Sequence, residues 1–546
     1  MNFKRKRGLY MKKQSTAKGV AVLTAAAIIV KVISLLYIPF LLKILGDYGI
    51  AIYYAAYTIF SWIYSVATTG VPQAISKTVS EFIAVGNYKD ARKAFKLARF
   101  MFMIFGFILT LLLLIFAKPI AIATKYPNSY LAVLFLAPTI FFSSITASYR
   151  GYFQGRRNMT PTATSQILEQ IVNVIFTLSL AAYFMRYNVE AACAGGTFAT
   201  TIAAVAASGF LVYVYRKERE DRIVKFHNPE VRRLSNKRIV RRILKYTIPM
   251  TICAILQYTG VLVDLWNTKS RLIFSGMSEV NATILYGYLQ KYQQLINVPI
   301  TMIAQLSVTI IPAIAAANAV KDKKSVEENI NFAFKFCFMI AIPSAIGLSF
   351  LSRPIYRMLG YGGGSSLLLY GSYIVILMAI MQTFSGILQG IGKLYVVIYF
   401  LTFGIIGKII TNYFLIAIPK LNIMGALIGN VVYYIIPVIL DNIILIKVLN
   451  ININIFKHGI KPLGASAVMG GAIYFLYFIM NKALSFMGKR YITVAIPTVI
   501  SIILGMYIYF AVMVYIKGIT KEDMDFLPQK IRKFLPKHLK NKIYAQ

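Results

Sequence analysis

Long apolar runs and short polar connections alternate from one end of the chain to the other. Fourteen apolar segments are expected, near 18–45, 51–83, 93–117, 128–154, 161–185, 189–215, 243–274, 280–318, 328–351, 366–391, 394–418, 422–449, 461–481 and 490–516. A helix of about 20 apolar residues crosses a bilayer, and each segment meets or exceeds that length. The pattern therefore predicts an all-α polytopic membrane protein. The first run, Gly19 to Leu45, is too long for a signal-peptide core and carries Lys31 midway, so it reads as a retained first helix.

The connections alternate in charge. One set holds the N-terminus, 86–96, 155–158, 215–242, 321–325, Lys393, 456–461 and the tail from Lys517. It is far more basic than the other set, which includes 46–49, 123–130, 186–188 and 275–281. By the positive-inside rule the basic set is cytoplasmic, which places both termini in the cytoplasm of a cell-membrane protein. An even number of spans is then required.

The two halves repeat at an offset of 234–240. "RGYFQG" (150–155) faces "SGILQG" (385–390), Asn173 faces Lys408, and "NVEAACAG" (188–195) faces "NIMGALIG" (422–429). Each half has an even number of spans, so the repeat is parallel, as in transporters whose two lobes rock about a central site. The expected organisation is a basic N-terminus (1–17), an N-lobe of helices 1–6 (18–215), a linker (216–242), a C-lobe of helices 7–12 (243–449), two added helices (461–516) and a basic tail (517–546). Gly151 and Gly155, four residues apart, suit close helix packing.

Composition sharpens this picture. The 546 residues are 58% hydrophobic and 14% charged, with a formal net charge of +41. Nucleic-acid binding is not expected, because the cations gather at the ends of apolar runs, where they meet anionic membrane lipids. Cys193, Cys253 and Cys337 each sit in an apolar segment and read as small apolar residues. No metal-ligand spacing and no nucleophile–histidine arrangement is present, and every outer connection is short, so no enzyme is expected.

Ionisable groups at bilayer depth are costly and usually face a cavity or a partner. Lys31 is about 20 Å from either end of its segment, beyond the reach of a snorkelling stem. Gln73 and Lys77 lie in "GVPQAISK", where Pro72 is expected to bend the helix. Gln166, Glu169, Gln170 and Asn173 share one helical face, suited to a cavity or to interhelical hydrogen bonds. Asp264, Asn267, Lys269 and Arg271 follow on the seventh segment, and Lys291, Gln293, Gln294 and Asn297 make the eighth unusually polar. Pro299 is expected to add a break there. The midmembrane charge is mostly cationic, which suits an anionic, phosphate-bearing cargo. Only Glu169, Asp264 and Asp441 are available as intramembrane carboxylates.

"GVPQAISKTVSEFIAVGNYKDARKAF", "YRGYFQGRRNMTPTATSQILEQIVNVIF" and the two-lobe plan resemble the MurJ and stage V sporulation protein B group of the multidrug/oligosaccharidyl-lipid/polysaccharide exporter superfamily. The nearest resemblance is to its Bacillus-type lipid II flippases. The resemblance implies a central cavity between two six-helix lobes, alternating access, and a lipid-tail groove on the last two helices. It implies a cargo of undecaprenyl-pyrophosphate-linked precursor moved from the inner to the outer leaflet. Lys31 falls where the group has a cavity arginine. Tyr37 and Tyr64 fall at or near two further cationic positions, and the eighth-helix arginine aligns between Lys291 and Gln294.

The expected function is therefore a lipid-linked precursor flippase, acting as a monomer without a resident cofactor. Lys31, Lys291, Arg271 and Lys77 would engage pyrophosphate. Asp264, Glu169, Gln73, Gln293, Gln294 and Asn297 would be cavity or coupling groups, the coupling species being a monovalent cation or a proton. Export of another lipid-linked polysaccharide unit and cation-coupled multidrug export are the alternative readings.

Overall fold

The computed structural model describes residues 16–217, 233–319, 322–449, 455–484, 491–520 and 543. The basic N-terminus up to 15, most of the linker, and nearly all of the tail lie outside the described residues. Every regular element among the described residues is helical. The chain divides into two compact units, Met1–Gly287 and Tyr288–Gln546.

The first unit contains α1 (Thr16–Thr68), α2 (Gly70–Ala84), α3 (Tyr88–Ala123), α4 (Tyr130–Gly155), α5 (Thr160–Phe184), α6 (Val189–Lys217) and α7 (Asn236–Phe274). It also holds the start of α8 (Glu279–Ala319). Gly46 interrupts α1 with φ 68° and ψ 177°, a conformation essentially restricted to glycine. The polar "GDYG" expected to separate the first two spans is thus the place where the backbone turns.

The expected bend at Pro72 is corrected. The chain breaks before it, and Pro72 lies in the first turn of α2. There its missing N–H has no intrahelical partner to lose. The expected break at Pro299 is also corrected, because α8 runs through it as one helix. The seventh helix begins at Asn236, capped by the Ser235 side chain, earlier than 243. Just before it, Leu234 N–H donates to Asp90 at 2.7 Å, and Lys93 Nζ donates to the Leu234 carbonyl at 3.1 Å. These bonds fix the end of the linker to the start of α3.

α4 packs closely on α2. A Cβ on Gly151 would lie 2.7 Å from the Pro72 carbonyl oxygen, and one on Gly155 would lie 2.8 Å from that of Ser76. The two glycines of "RGYFQG" are therefore what lets the backbones touch, as their spacing suggested. Beside them Phe95, Tyr149, Tyr152 and Tyr215 form an aromatic core, with Phe95 and Tyr152 ring centroids 4.4 Å apart.

The second unit contains the rest of α8, then α9 (Lys323–Phe350), α10 (Ser352–Met358), α11 (Ser365–Gly371), α12 (Ile374–Gly390), α13 (Leu394–Leu415), α14 (Met424–Leu449), α15 (Lys457–Leu484) and α16 (Ile492–Tyr515). The tenth expected span is a pair of helices, α11 and α12, bent by 54°. Among the described residues 11 helices are long and apolar enough to cross a membrane, or 12 if that bent pair is one span. That is fewer than the fourteen expected. The count is of the described residues and takes Val22–Ala84, 63 residues that cover the two spans expected at 18–45 and 51–83, as one.

Candidate functional site

In the first unit the expected site residues fall into separate surroundings. Lys31 is half-buried on α1, among apolar neighbours such as Ile28 and Val32 that are exposed. The lysine is thus a cation at the edge of the packed helices. Lys77 is exposed on α2 with its ammonium 4.0 Å from the Tyr246 ring centroid on α7. Gln73, one turn earlier, is also exposed. These two form one polar stretch of α2.

α7 carries a different cluster. Asp264 is fully buried and engaged. Lys269, 4% exposed, donates to Glu279 and to the Lys125 carbonyl at 2.7 Å each, and its ammonium is 4.7 Å from the Tyr126 ring centroid. It is a structural clamp joining α7, the start of α8 and the end of α3. The hydrogen bond and charge of Lys269 hold the Glu279 carboxyl below its ordinary range. Arg271 stacks over the Phe274 ring at 4.2 Å in the last turn of α7.

Glu169 is committed to a partner that sequence reading missed. Arg150 Nη2 donates to it at 2.6 Å, while Arg150 Nε donates to Ser165 Oγ at 3.0 Å. The pair bridges α4 and α5. One turn along, Asn173 donates to Thr200 at 2.9 Å, Tyr57 also bonds Thr200, and Thr177 donates to the Gly196 carbonyl at 3.2 Å. This polar face of α5 is interhelical bonding, one of the two roles its spacing allowed. Arg150 had a signal, since it heads "RGYFQG", but its partner is nineteen residues away on the next helix.

An open groove of about 410 Å³ lies between α1, α3 and α7 of the same unit, walled by Ile59, Trp62, Ile63, Leu262, Val263 and Trp266 among others. Its two threonines, Thr124 and Thr259, donate to carbonyls of their own helices. The groove presents hydrocarbon to whatever enters it.

In the second unit Lys291 is 0% exposed, with its ammonium 5.0 Å from the Tyr288 ring centroid and 5.3 Å from that of Tyr361. It is enclosed by aromatic faces, which stabilise a desolvated cation. Gln293 and Gln294 are half-buried and engaged, and Asn297 is exposed. Two buried ionisable groups of α13 and α14 were not among the expected site residues. Lys408 of α13 is 2% exposed, 5.4 Å from the Tyr433 ring centroid, and Asp441 of α14 is 1% exposed.

Comparison with known proteins decides the family. The model of the polysaccharide biosynthesis protein family matches residues 16–318, more than half of the chain. The chain belongs to that family. It is 27% identical over 522 residues to the lipid II flippase MurJ of Bacillus subtilis strain 168, covering 90% of this chain and 94% of the relative. It is 24% identical over 459 residues to stage V sporulation protein B of the same organism, covering 83% and 87%. Among solved structures, an inward closed lipid II flippase MurJ superposes with a TM-score of 0.64 at 17% identity, over 91% of this chain and 98% of that one. An inward-facing multidrug resistance MATE transporter of the MOP superfamily gives 0.58 at 17% identity, over 81% and 97%. This family member therefore has the all-helical, multi-pass membrane fold of MOP transporters.

Proposed function

We propose that the protein is a flippase for an undecaprenyl-pyrophosphate-linked cell-wall precursor, most simply lipid II, moved from the inner to the outer leaflet of the cell membrane by alternating access. The observation that carries this reading is the end-to-end similarity to a lipid II flippase, over 94% of that relative's length. The half-buried Lys31 supports it, because a cation at that depth has a purpose if an anionic pyrophosphate passes it. Lys77, exposed on α2, is a second contact for the headgroup, and Lys291 becomes one in a state that opens its aromatic enclosure. Transport moves the cargo without breaking a covalent bond in it. Substrate binding must differ between the two access states to drive the exchange.

Expression in a strain depleted of its own lipid II flippases tests the cargo. Restored growth and wall synthesis are expected, and failure by a well-expressed, membrane-inserted chain counts against lipid II. The cation assignment is tested with Lys31→Ala combined with Lys291→Ala. Loss of at least tenfold in transport is expected, and full transport by the double variant would show that the cations lie elsewhere.

A further inference from the structure

Of the three intramembrane carboxylates, the structure leaves one without a partner. Glu169 is bound by Arg150, and Asp264 is engaged. Asp441 is 1% exposed and neither of its carboxyl oxygens meets a hydrogen-bond donor among the described residues.

Its position explains the isolation. The buried stripe of α14 runs Gly425, Gly429, Tyr433, Pro437, Asp441 and Leu445, one residue per turn. That stripe packs on α13 with the backbones nearly touching. A Cβ on Gly425 would lie 2.7 Å from the Ile416 nitrogen, and one on Gly404 would lie 2.6 Å from the Tyr433 carbonyl oxygen and 3.0 Å from Pro437. This antiparallel register, carried one turn on, sets Asp441 level with the fully buried Leu401.

Among the described residues, α11, α12 and α13, which pack against α14, offer no counter-charge there. α13 has one cation, Lys408, two turns away along the seam and held against Tyr433, roughly 12 Å by helix rise. The tyrosines of α13, at 395, 399 and 413, are exposed. α12 carries no titratable side chain, α11 has only the exposed Tyr370, and Lys447 of α14 itself is exposed.

An ionised carboxylate in such a seam loses its hydration with nothing in return, so this packing accommodates the neutral acid. The other unpaired oxygen close in sequence is Asn442 Oδ1. Two side chains do not make an oxygen cage for a metal cation, whereas a proton needs a single carboxyl oxygen.

We infer that Asp441 is a proton-binding site of the second unit, taken up when the α13–α14 seam is closed and released to water when the seam loosens during the cycle. An O–H bond forms on one carboxyl oxygen in the first step and breaks in the second, leaving the carboxylate. That this proton drives precursor movement rests on the function proposed above, but the binding site does not.

Two measurements on the full chain separate these points. Infrared difference spectra in lipid nanodiscs, between acidic and alkaline buffer, should show the carbonyl stretch of a protonated carboxylic acid. The band should be absent in Asp441→Asn and unchanged by added sodium. No band in the wild type, or the same band in Asp441→Asn, would overturn the site, and a band removed by sodium would make it a metal-cation site instead. In proteoliposomes carrying a fluorescent lipid II, one proton per cycle gives the wild type about a tenfold leaflet bias per pH unit of gradient. Asp441→Asn should lose that bias. If the variant keeps it, the coupling inference falls. If the wild type flips nothing while the infrared band is present, the cargo is wrong and the proton site stands.

Discussion

Two acids at comparable helix seams, Glu169 and Asp441, are treated in opposite ways. In the first repeat, Glu169 on α5 is paired with Arg150 on α4 at 2.6 Å. At the repeat offset Ser385 stands in place of Arg150 and Gly404 in place of Glu169, so the second repeat has neither member of the pair. Asp441 of α14 stands where the first repeat has the fully buried Ala207. The polar rungs beside them do correspond. Asn173 and Thr177 bond across to α6, and their counterparts Lys408 and Asn412 lie on the α13 face packed against α14. The α5–α6 and α13–α14 seams thus share their polar rungs, while the ion pair lies on the α4 side of α5 and the lone carboxyl on the α14 side of α13. The first arrangement locks two helices together. The second leaves a group whose state depends on how tightly the helices close.

The largest effect expected from this contrast is on the ion pair. Arg150→Ala leaves Glu169 without its cation in a mostly buried place, its side chain being 24% exposed. Removing one partner of such a pair costs about 2–3 kcal/mol, more than the pair itself contributes. The apparent melting temperature in detergent should fall by several degrees. The double variant Arg150→Met, Glu169→Leu should recover most of the loss. A double variant as unstable as the single one would show that packing, not the orphaned charge, sets the cost.

A smaller loss is expected for Gly404→Ala. The new methyl would meet the Tyr433 carbonyl oxygen at 2.6 Å, a backbone atom that cannot step aside alone. Overpacking of this kind costs about 1–3 kcal/mol. The seam must open for the methyl to fit, so this variant should also shift the infrared band of Asp441. No change in either quantity would mean that the α13–α14 seam is looser than its geometry states.

Asp441→Leu runs the other way. It removes an acid with no partner from an apolar seam, so stability should rise by about 1 kcal/mol while any proton response is lost. A variant less stable than the wild type would mean that the carboxyl has a partner in the resting protein.

Much of this architecture was legible in the chain, and the illegible parts share a cause. Apolar run length placed α4 at 130–155 against an expected 128–154, α5 at 160–184 against 161–185, and α6 at 189–217 against 189–215. The GxxxG spacing of Gly151 and Gly155 announced a close approach, though not that α2 would be the partner. The break before Pro72 and the bend between α11 and α12 were missed because hydropathy is blind to the backbone within an apolar run. Partnership was missed for the same kind of reason. Glu169 and Asp441 look alike in sequence, and only the facing helix, with Arg150 in one case and Leu401 in the other, separates them.

The smallest effect concerns Glu279, a carboxylate of the first unit that is paired and open to water. Glu279 is 67% exposed at the start of α8, and Lys269 holds its carboxyl below the ordinary value of 4.5. A carboxyl lowered in the folded state contributes stability above its unfolded value and loses it as pH falls through the folded value. The pair therefore acts at neutral pH and fades below about pH 4.5. Exposure screens the charges, so the contribution is a few tenths of a kcal/mol. Glu279→Gln should cost little at neutral pH and remove that part of the acid dependence. Unlike Glu169 in the first prediction, its partner is not orphaned by the change. Lys269 keeps the Lys125 carbonyl at 2.7 Å and the Tyr126 ring, so the variant should stay folded where Lys269→Met, which removes both contacts, does not match it in stability. Equal melting temperatures for the two variants would show that the clamp on α7 is the exposed ion pair alone.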